Sequence, residues 1–458
     1  MTPLWTADAI AAAVGGTASA PFEAGGVAFD SRELGPGDLF IAMRGETTDG
    51  HRFVEGAFAA GAAGAIVEHP VDHPHVRTAD SMAALNALGV AARARTTAKI
   101  VGVTGSVGKT GTKEALFAAF DRIAPGHAHR SVKSYNNHTG VPLSLARMPA
   151  ATRYGVFEMG MSAAGELTAL TALVRPHVAI VTAIAPAHGA FFADEAAIAD
   201  AKGEIFQGLE PGGTAIVPFD SPHRDRLIRA ATPHAAAVLT FGSGEGADVR
   251  ALDMVPAKGG GSLVTARLPG GELCFTVGQP GAHWVSNALA VIAAVDVLGG
   301  DVAVAGLALA ELPGLAGRGA RLTARLPGGE ALIIDESYNA NPASMAATLA
   351  VLGAEPAARR VAVLGAMREL GRESDRHHAE IAGPLTAANV DFALLVGPEM
   401  APLAEALEGR VDFEHVADAA TALDRLQRRI APGDAVLIKG SNAIGLARVV
   451  QAMAGSGI

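Results

Sequence analysis

From residue 99 onward, short β-branched or apolar runs alternate with longer stretches whose apolar positions recur at helical spacing. This alternation predicts βαβ units around a parallel sheet. Strands are predicted at Lys99–Thr104, Tyr154–Glu158, 177–183 and 214–217, with a helix over 113–120. A second series begins at 331–335 and continues at 360–364, Phe392–Val396 and 435–438. Between the series lie β-like pieces, a long apolar helix over 284–298 and a Gly/Pro-containing stretch at 312–319. Residues before 92–98 read as a smaller mixed α/β unit, with turns at Gly35-Pro36-Gly37 and Asp49-Gly50. The expected fold class is α/β in three domains, 1–95, 96–314 and 315–458.

Length supports the division, because 458 residues exceed what one hydrophobic core ordinarily serves. Half the residues are hydrophobic and 18% are charged, which argues against intrinsic disorder. With 36 Lys+Arg against 46 Asp+Glu, the net charge of −10 provides no broad basic surface for nucleic acid, so an anionic ligand needs a local site. The single cysteine, Cys274, cannot form an internal disulfide, which favours a reducing, cytoplasmic setting. Segments 176–193 and 273–295 lack Asp, Glu, Lys and Arg, yet their His, Pro, Gln, Ser and Asn residues argue against membrane spans. The first basic residue is Arg32, so the apolar stretch 9–14 lacks the basic flank of a signal peptide.

The strongest chemical signal is Val101-Gly-Val-Thr-Gly-Ser-Val-Gly-Lys-Thr110, an apolar strand entering a glycine-rich turn and then a helix. In such a P-loop, the backbone N–H groups of Gly105, Ser106, Val107 and Gly108 cradle phosphates, Lys109 reaches the β- and γ-phosphates, and Thr110 ligates Mg²⁺. Val103 stands where the full pattern has its first glycine, so the shorter Gly105-x-x-Gly108-Lys-Thr form is present. ATP or GTP dependence follows, but the loop alone leaves open whether the nucleotide drives motion, signalling or bond formation.

Four further segments follow in order: Asn136-Asn137-His-Thr-Gly140-Val-Pro142, Glu158-Met-Gly160, Ala187-His188, and Ala201-Lys202-Gly-Glu204-Ile-Phe206. With the P-loop, they resemble the central domain of the Mur ligases, ATP-dependent amino-acid and peptide ligases of peptidoglycan synthesis. Asp30-Ser31-Arg32, Pro36-Gly37-Asp38-Leu39-Phe40 and Asp49-Gly50-His51 resemble that family's UDP-sugar-binding domain. Asp335-Glu-Ser337-Tyr338-Asn339-Ala-Asn341-Pro342, Glu369-Leu370-Gly371 and Lys439-Gly440-Ser441 resemble its Rossmann-like C-terminal domain, which receives the incoming amine. The Ser-Tyr-Asn-Ala-Asn-Pro form is most similar to the dipeptide-adding branch, and the Asp-Asn-Pro-Arg motif of the diaminopimelate-adding branch is absent.

The resemblance implies an amide ligase joining UDP-MurNAc-tripeptide to D-Ala-D-Ala through an acyl phosphate. It leaves room for another ligase of the superfamily, such as a folylpolyglutamate synthase-like enzyme, or for a P-loop switch. Transferring a phosphoryl group to a carboxylate needs cations around it, which Lys109 and Mg²⁺ held by Thr110 and Glu158 supply. By resemblance, His188 lies at a second Mg²⁺ and Lys202 is carbamylated, becoming an anionic metal ligand. An unmodified Lys202 pairing with Glu204 or a phosphate is the alternative. Asn136 and Asn137 are implied near the substrate, or serve turn chemistry. Asn287 and Arg318 are implied at ATP, Asp335 at its ribose, and Ser31 and Arg32 at the uridine diphosphate. Three positions depart from the family pattern: Trp284 where Asn is usual, Ala366 for Asp, and Asn442 for Arg.

Overall fold

A computed structural model describes the chain except residues 1, 46–47, 187–191, 193, 259 and 456–458. His188 lies outside the described residues. Three main sheets follow one another along the chain, giving the α/β class expected from the sequence. The first has five strands in the order Thr17–Ala18, His75–Arg77, Gly64–Val67, Asp38–Ile41 and Gly26–Ala28, parallel except for its first pair. The third has six: Ala320–Leu326, Gly329–Glu336, Asp434–Lys439, Arg359–Gly365, Phe392–Val396 and Asp412–Val416, again with only its first pair antiparallel.

The central sheet carries the phosphate loop. Its strand Lys99–Thr104 lies between Val178–Val181 and Tyr154–Glu158, parallel to both. Side chains alternate between faces along each strand. Val101, Val103, Val178 and Ile180 pack with the helices Lys109–Ile123 and Ala282–Val297, whereas Ile100, Ala179 and Val181 pack with Phe157, Leu170, Ile198 and Phe206 on the opposite face. Helices therefore cover both faces, which is why these strands read as nearly unbroken apolar runs. Beyond this parallel core the β-like pieces form strands Ala237–Gly242, Val249–Pro256, Ser262–Leu268 and Gly271–Val277, the last two joining antiparallel.

Local chemistry trims or extends the expected elements. The strand expected over 177–183 shortens to Val178–Val181, because His177 uses its Nδ1 to accept from Ile100 N and Thr182 turns its hydroxyl to the phosphate loop. The helix expected at 113 starts at Lys109, directly after Gly108. The uncharged stretch 273–295 divides into a strand and the core helix Ala282–Val297. Among the described residues no helix is long and apolar enough to cross a membrane.

Polar anchors bolt the N-terminal unit to the central one. Trp5 Nε1 donates to Ala146 O at 2.8 Å, and the Arg95 guanidinium lies 4.0 Å from the Trp5 ring while donating to Leu4 O and Met148 O. Buried Arg93 donates to Val174 O and Arg175 O, both at 2.8 Å, and pairs with Glu210 at 3.3 Å. Arg93→Ala leaves two carbonyls without their charged donor, while Glu210 keeps Arg175 at 2.6 Å, and is expected to cost about 2–4 kcal/mol of stability. The shift in urea midpoint measures it; a change below about 0.5 kcal/mol, the ordinary size for a surface substitution, would show that this anchor is dispensable.

Candidate active site

The carboxyl ends of the parallel strands Lys99–Thr104 and Tyr154–Glu158 open into a cavity of about 550 Å³. This is the usual ligand crevice of an open α/β sheet. Its walls come from the central sheet and from the six-stranded sheet: Ser106–Lys109, Asn136 and Glu158 on one side, and Arg318, Glu336, Arg368 and Lys439 on the other.

Two glycines shape the phosphate loop. Gly105 has φ +151°, and a Cβ there would lie 1.9 Å from Thr182 Oγ1. Gly108 has φ +85°, and a Cβ there would meet Asn287 Oδ1 at 2.6 Å. The loop is stitched to the next strand end: Ser106 N donates to Ala183 O, Ala185 N to Ser106 Oγ, and the Thr182 hydroxyl lies 2.5 Å from Val107 O. The first N–H groups of the helix Lys109–Ile123 thus face the cavity with no side-chain cap, an arrangement suited to an anion. Lys109 Nζ folds back onto Gly105 O at 2.6 Å.

Glu158 ends its strand almost fully buried, at 1% exposure, and is met from several elements. The Thr110 hydroxyl donates to Oε2 at 2.9 Å, Asn136 Nδ2 donates to Oε1 at 2.7 Å, and Lys113 Nζ lies 3.9 Å away. The two asparagines divide their work. Asn136 serves the carboxylate, whereas Asn137 Oδ1 accepts from Gly140 N and the Thr139 hydroxyl to close the turn, while still lining the cavity.

Lysine is rarely buried, yet Lys113, Lys202 and Lys439 are among the largest fully buried side chains. Burial pushes the Lys109 and Lys439 ammonium groups below the usual lysine range; Glu158 opposes the shift at Lys109 and Glu336 opposes it at Lys439. Lys202 is driven well below that range by burial and then by the charge of Lys109. Among the described residues its Nζ has no hydrogen-bond or ion-pair partner, and Glu204 is instead engaged by Gly165 N at 2.7 Å. Lys202 sits in the wall near Lys109, outside the cavity lining.

The remaining expected residues are spread around this centre. Asn287 and Trp284 line the cavity, and the Trp284 indole packs on Gly111, where a Cβ would come within 2.9 Å. Arg318 stacks 4.4 Å over Tyr338, with Nη2 at 3.4 Å from Ser134 Oγ. Asp335 does not line the cavity: its carboxylate accepts from Gly317 N at 2.7 Å and from the Ser337 hydroxyl at 2.6 Å, fixing the backbone next to Arg318. Ser31 and Arg32 also lie outside it, with Arg32 exposed and paired to Asp30, whose carboxyl is held down to about 2 chiefly by that hydrogen bond. Their neighbour Glu33 pairs with Lys133 and Tyr135 beside a second opening that reaches Thr110 and Arg318.

Sequence reasoning missed Lys113 and Thr182. Lys113 could have been found from its i+4 spacing to Lys109, which puts it on the same helix face, toward the carboxylate. Thr182 offered no signal beyond ending a strand.

Among the described residues no group of three His, Cys, Asp or Glu side chains is arranged to hold a metal. A hard divalent cation that keeps waters and nucleotide phosphates as ligands needs only one or two protein oxygens, however, and Thr110 with Glu158 provides them.

Known families account for the whole arrangement. Residues 23–102 match the Mur ligase family catalytic domain, 103–295 the Mur ligase middle domain, and 320–442 the Mur ligase glutamate ligase domain. The UDP-N-acetylmuramoyl-tripeptide–D-alanyl-D-alanine ligase of Synechocystis is 34% identical, with 92% of this chain and 90% of the relative covered. MurF from Acinetobacter baumannii superposes with a TM-score of 0.85 at 30% identity over 99% of each chain. MurF from Thermotoga maritima, solved with ADP, has a TM-score of 0.77 at 27% identity, covering 94% of this chain and 97% of that one. Three consecutive family matches around one P-loop crevice and a full-length relative lead to one assignment: the chain belongs to the Mur ligase family.

Proposed function

We propose that this protein is the ATP-dependent ligase that adds D-Ala-D-Ala to UDP-MurNAc-tripeptide, forming the UDP-MurNAc-pentapeptide precursor of peptidoglycan. The observation that carries this reading is a single cavity joining the P-loop and Glu158 to Arg318, Arg368 and Lys439 of the C-terminal unit. A P-loop switch has no need of such a second wall, and a folylpolyglutamate synthase does not act on a UDP-linked substrate. Full-length likeness to dipeptide-adding ligases supports the choice of substrates. The reading assigns UDP-substrate binding to residues 1–95 with Ser31 and Arg32, ATP to 96–314, and the dipeptide to 315–458. It also carries a cytoplasmic location, where ATP is supplied.

The reaction has two displacements. A carboxylate oxygen of the tripeptide bonds to the γ-phosphorus while the β–γ bridging bond breaks and ADP leaves. The dipeptide amine then bonds to the acyl carbon, the carbon–oxygen bond to phosphate breaks, and the amine loses a proton. Protein residues contribute position and charge rather than covalent chemistry. Loop N–H groups hold the phosphates, and Lys109 swings from Gly105 O to the transferring group. Asn287 and Trp284 flank the base, while Arg318 reaches the phosphates from its stack on Tyr338. Thr110 and Glu158 would hold Mg²⁺, which neutralises phosphate charge when bound. Asn136 fixes the carboxylate, and His188 is assigned to a second metal by its order in the sequence.

Lys202 is read as a carbamate. Its neutral amine adds to CO₂ with loss of one proton, replacing an uncharged buried nitrogen beside Lys109 with an anion whose two oxygens suit a hard metal. Burial and the Lys109 charge both favour the neutral amine that this reaction needs.

The functional test is ADP release by purified protein. Release is expected only with UDP-MurNAc-tripeptide and D-Ala-D-Ala together; release indifferent to either would refute the reading. Lys109→Ala is expected to lower kcat by at least about 10²–10³-fold in a folded protein, as for loss of one preorganised charge at a transition state. Near-normal kcat would remove Lys109 from the chemistry. Lys202→Ala should lose activity and regain part of it with added formate or acetate, and the wild type should weaken in bicarbonate-free buffer. Full wild-type activity without CO₂, with no rescue of the variant, would leave Lys202 an unmodified lysine.

A further inference from the structure

The incoming dipeptide carries two charged ends. Its amine must reach the acyl carbon beside the P-loop, so its carboxylate points away from that centre and needs a cation at the far wall. Four Lys and Arg side chains among the described residues line the cavity: Lys109, Arg318, Arg368 and Lys439. Three are committed elsewhere. Lys109 belongs to the phosphate loop, Arg318 is stacked on Tyr338 beside Ser134, and buried Lys439 donates to Asn339 O at 2.8 Å and faces Glu336 at 3.4 Å.

Arg368 differs in placement and in unused capacity. It follows the strand Arg359–Gly365, and its backbone N donates to Ser441 Oγ at 2.9 Å, which ties it to the end of the neighbouring strand Asp434–Lys439. Its Nη1 pairs with Glu399, and its side chain remains half exposed at 50%. Among the described residues Nε and Nη2 make no hydrogen bond, and the side chain lines the cavity. Glu399 acts as a strut: its side chain is 31% exposed, its Oε1 takes Nη1, and its Oε2 is buried without a hydrogen-bond partner. The same wall carries the neutral side chains of Ser441 and Asn442 and the carboxylate of Glu369. Planar guanidinium recognises carboxylate through parallel N–H groups.

We infer that Arg368, positioned by Glu399 and Ser441, binds the C-terminal carboxylate of the incoming dipeptide and makes this ligase selective for an acceptor with a free carboxylate. The inference rests on the ligase reading above. It predicts that Asn442 contributes at most a neutral hydrogen bond at the same end.

The test compares D-Ala-D-Ala with its C-terminal amide as acceptors, following ADP release by wild type, Arg368→Gln and Arg368→Lys. Wild type should prefer the carboxylate in kcat/KM by about ten- to hundredfold, the range for a hydrogen bond to a charged group. Arg368→Gln should abolish the preference by raising the KM for D-Ala-D-Ala alone, with the KM for ATP unchanged. Arg368→Lys should restore part of it, which a merely structural role would not do. Glu399→Gln should weaken dipeptide binding and retain the preference, because the cation remains. A carboxylate-to-amide ratio in Arg368→Gln equal to that of wild type would overturn the inference alone. Absence of dipeptide-dependent turnover in wild type would instead overturn the ligase reading and this inference with it.

Discussion

The centre of this molecule is a buried carboxylate. Removing Glu158 from water at the end of a central strand is unfavourable unless donors and charge meet it. They come from the helix after the phosphate loop, through Thr110 and Lys113, and from the turn at Asn136. Satisfying that one group fixes three backbone segments relative to each other, and so fixes the phosphate loop against the place where a metal and an acceptor carboxylate would sit. Gly160 belongs to the same constraint, since a Cβ there would come within 2.9 Å of Asn136.

The two ends of the chain join this centre differently. Arg93, Arg95, Trp5 and Arg147 tie the N-terminal unit to buried backbone carbonyls of the central one, or the reverse. The C-terminal unit follows a stretch containing Gly314, Gly317 and Gly319, and faces the P-loop across an open cavity. Asp335 stiffens the end of that stretch by holding Gly317 N, which sets the position from which Arg318 reaches inward. The N-terminal unit is thus fixed relative to the phosphate loop, while the wall carrying Arg318, Arg368 and Lys439 comes from the other side.

Much of this was legible in the sequence because its signals are local. An apolar strand, a glycine turn and a Lys-Thr pair occupy one short window, and Lys99–Thr104 and Tyr154–Glu158 form as their β-branched and apolar runs indicate. What escaped was tertiary. Nothing in the Asn136-Asn137 pair tells which residue turns to Glu158 and which closes its own loop. Lys113 carried no signal of burial in its own helix; its Nζ pairs with its helix neighbour Glu114 and lies near Glu158 at the end of the adjacent strand. Asp335 was expected to face ribose, yet the backbone of Gly317 and Ser337 occupies its oxygens. Trp284, a departure from the family pattern, proves compatible with the site because Gly111 leaves room for its ring.

In the proposed reaction, carboxylate activation at the Glu158 centre precedes attack by the amine. The most direct measurement is to incubate the protein with Mg-ATP and UDP-MurNAc-tripeptide without dipeptide, reduce with borohydride, and look for the terminal carboxyl converted to an alcohol by mass spectrometry. The alcohol is expected from the wild type and absent from Glu158→Gln. Its absence from a wild-type protein that still makes pentapeptide, or its equal formation by Glu158→Gln, would contradict the account.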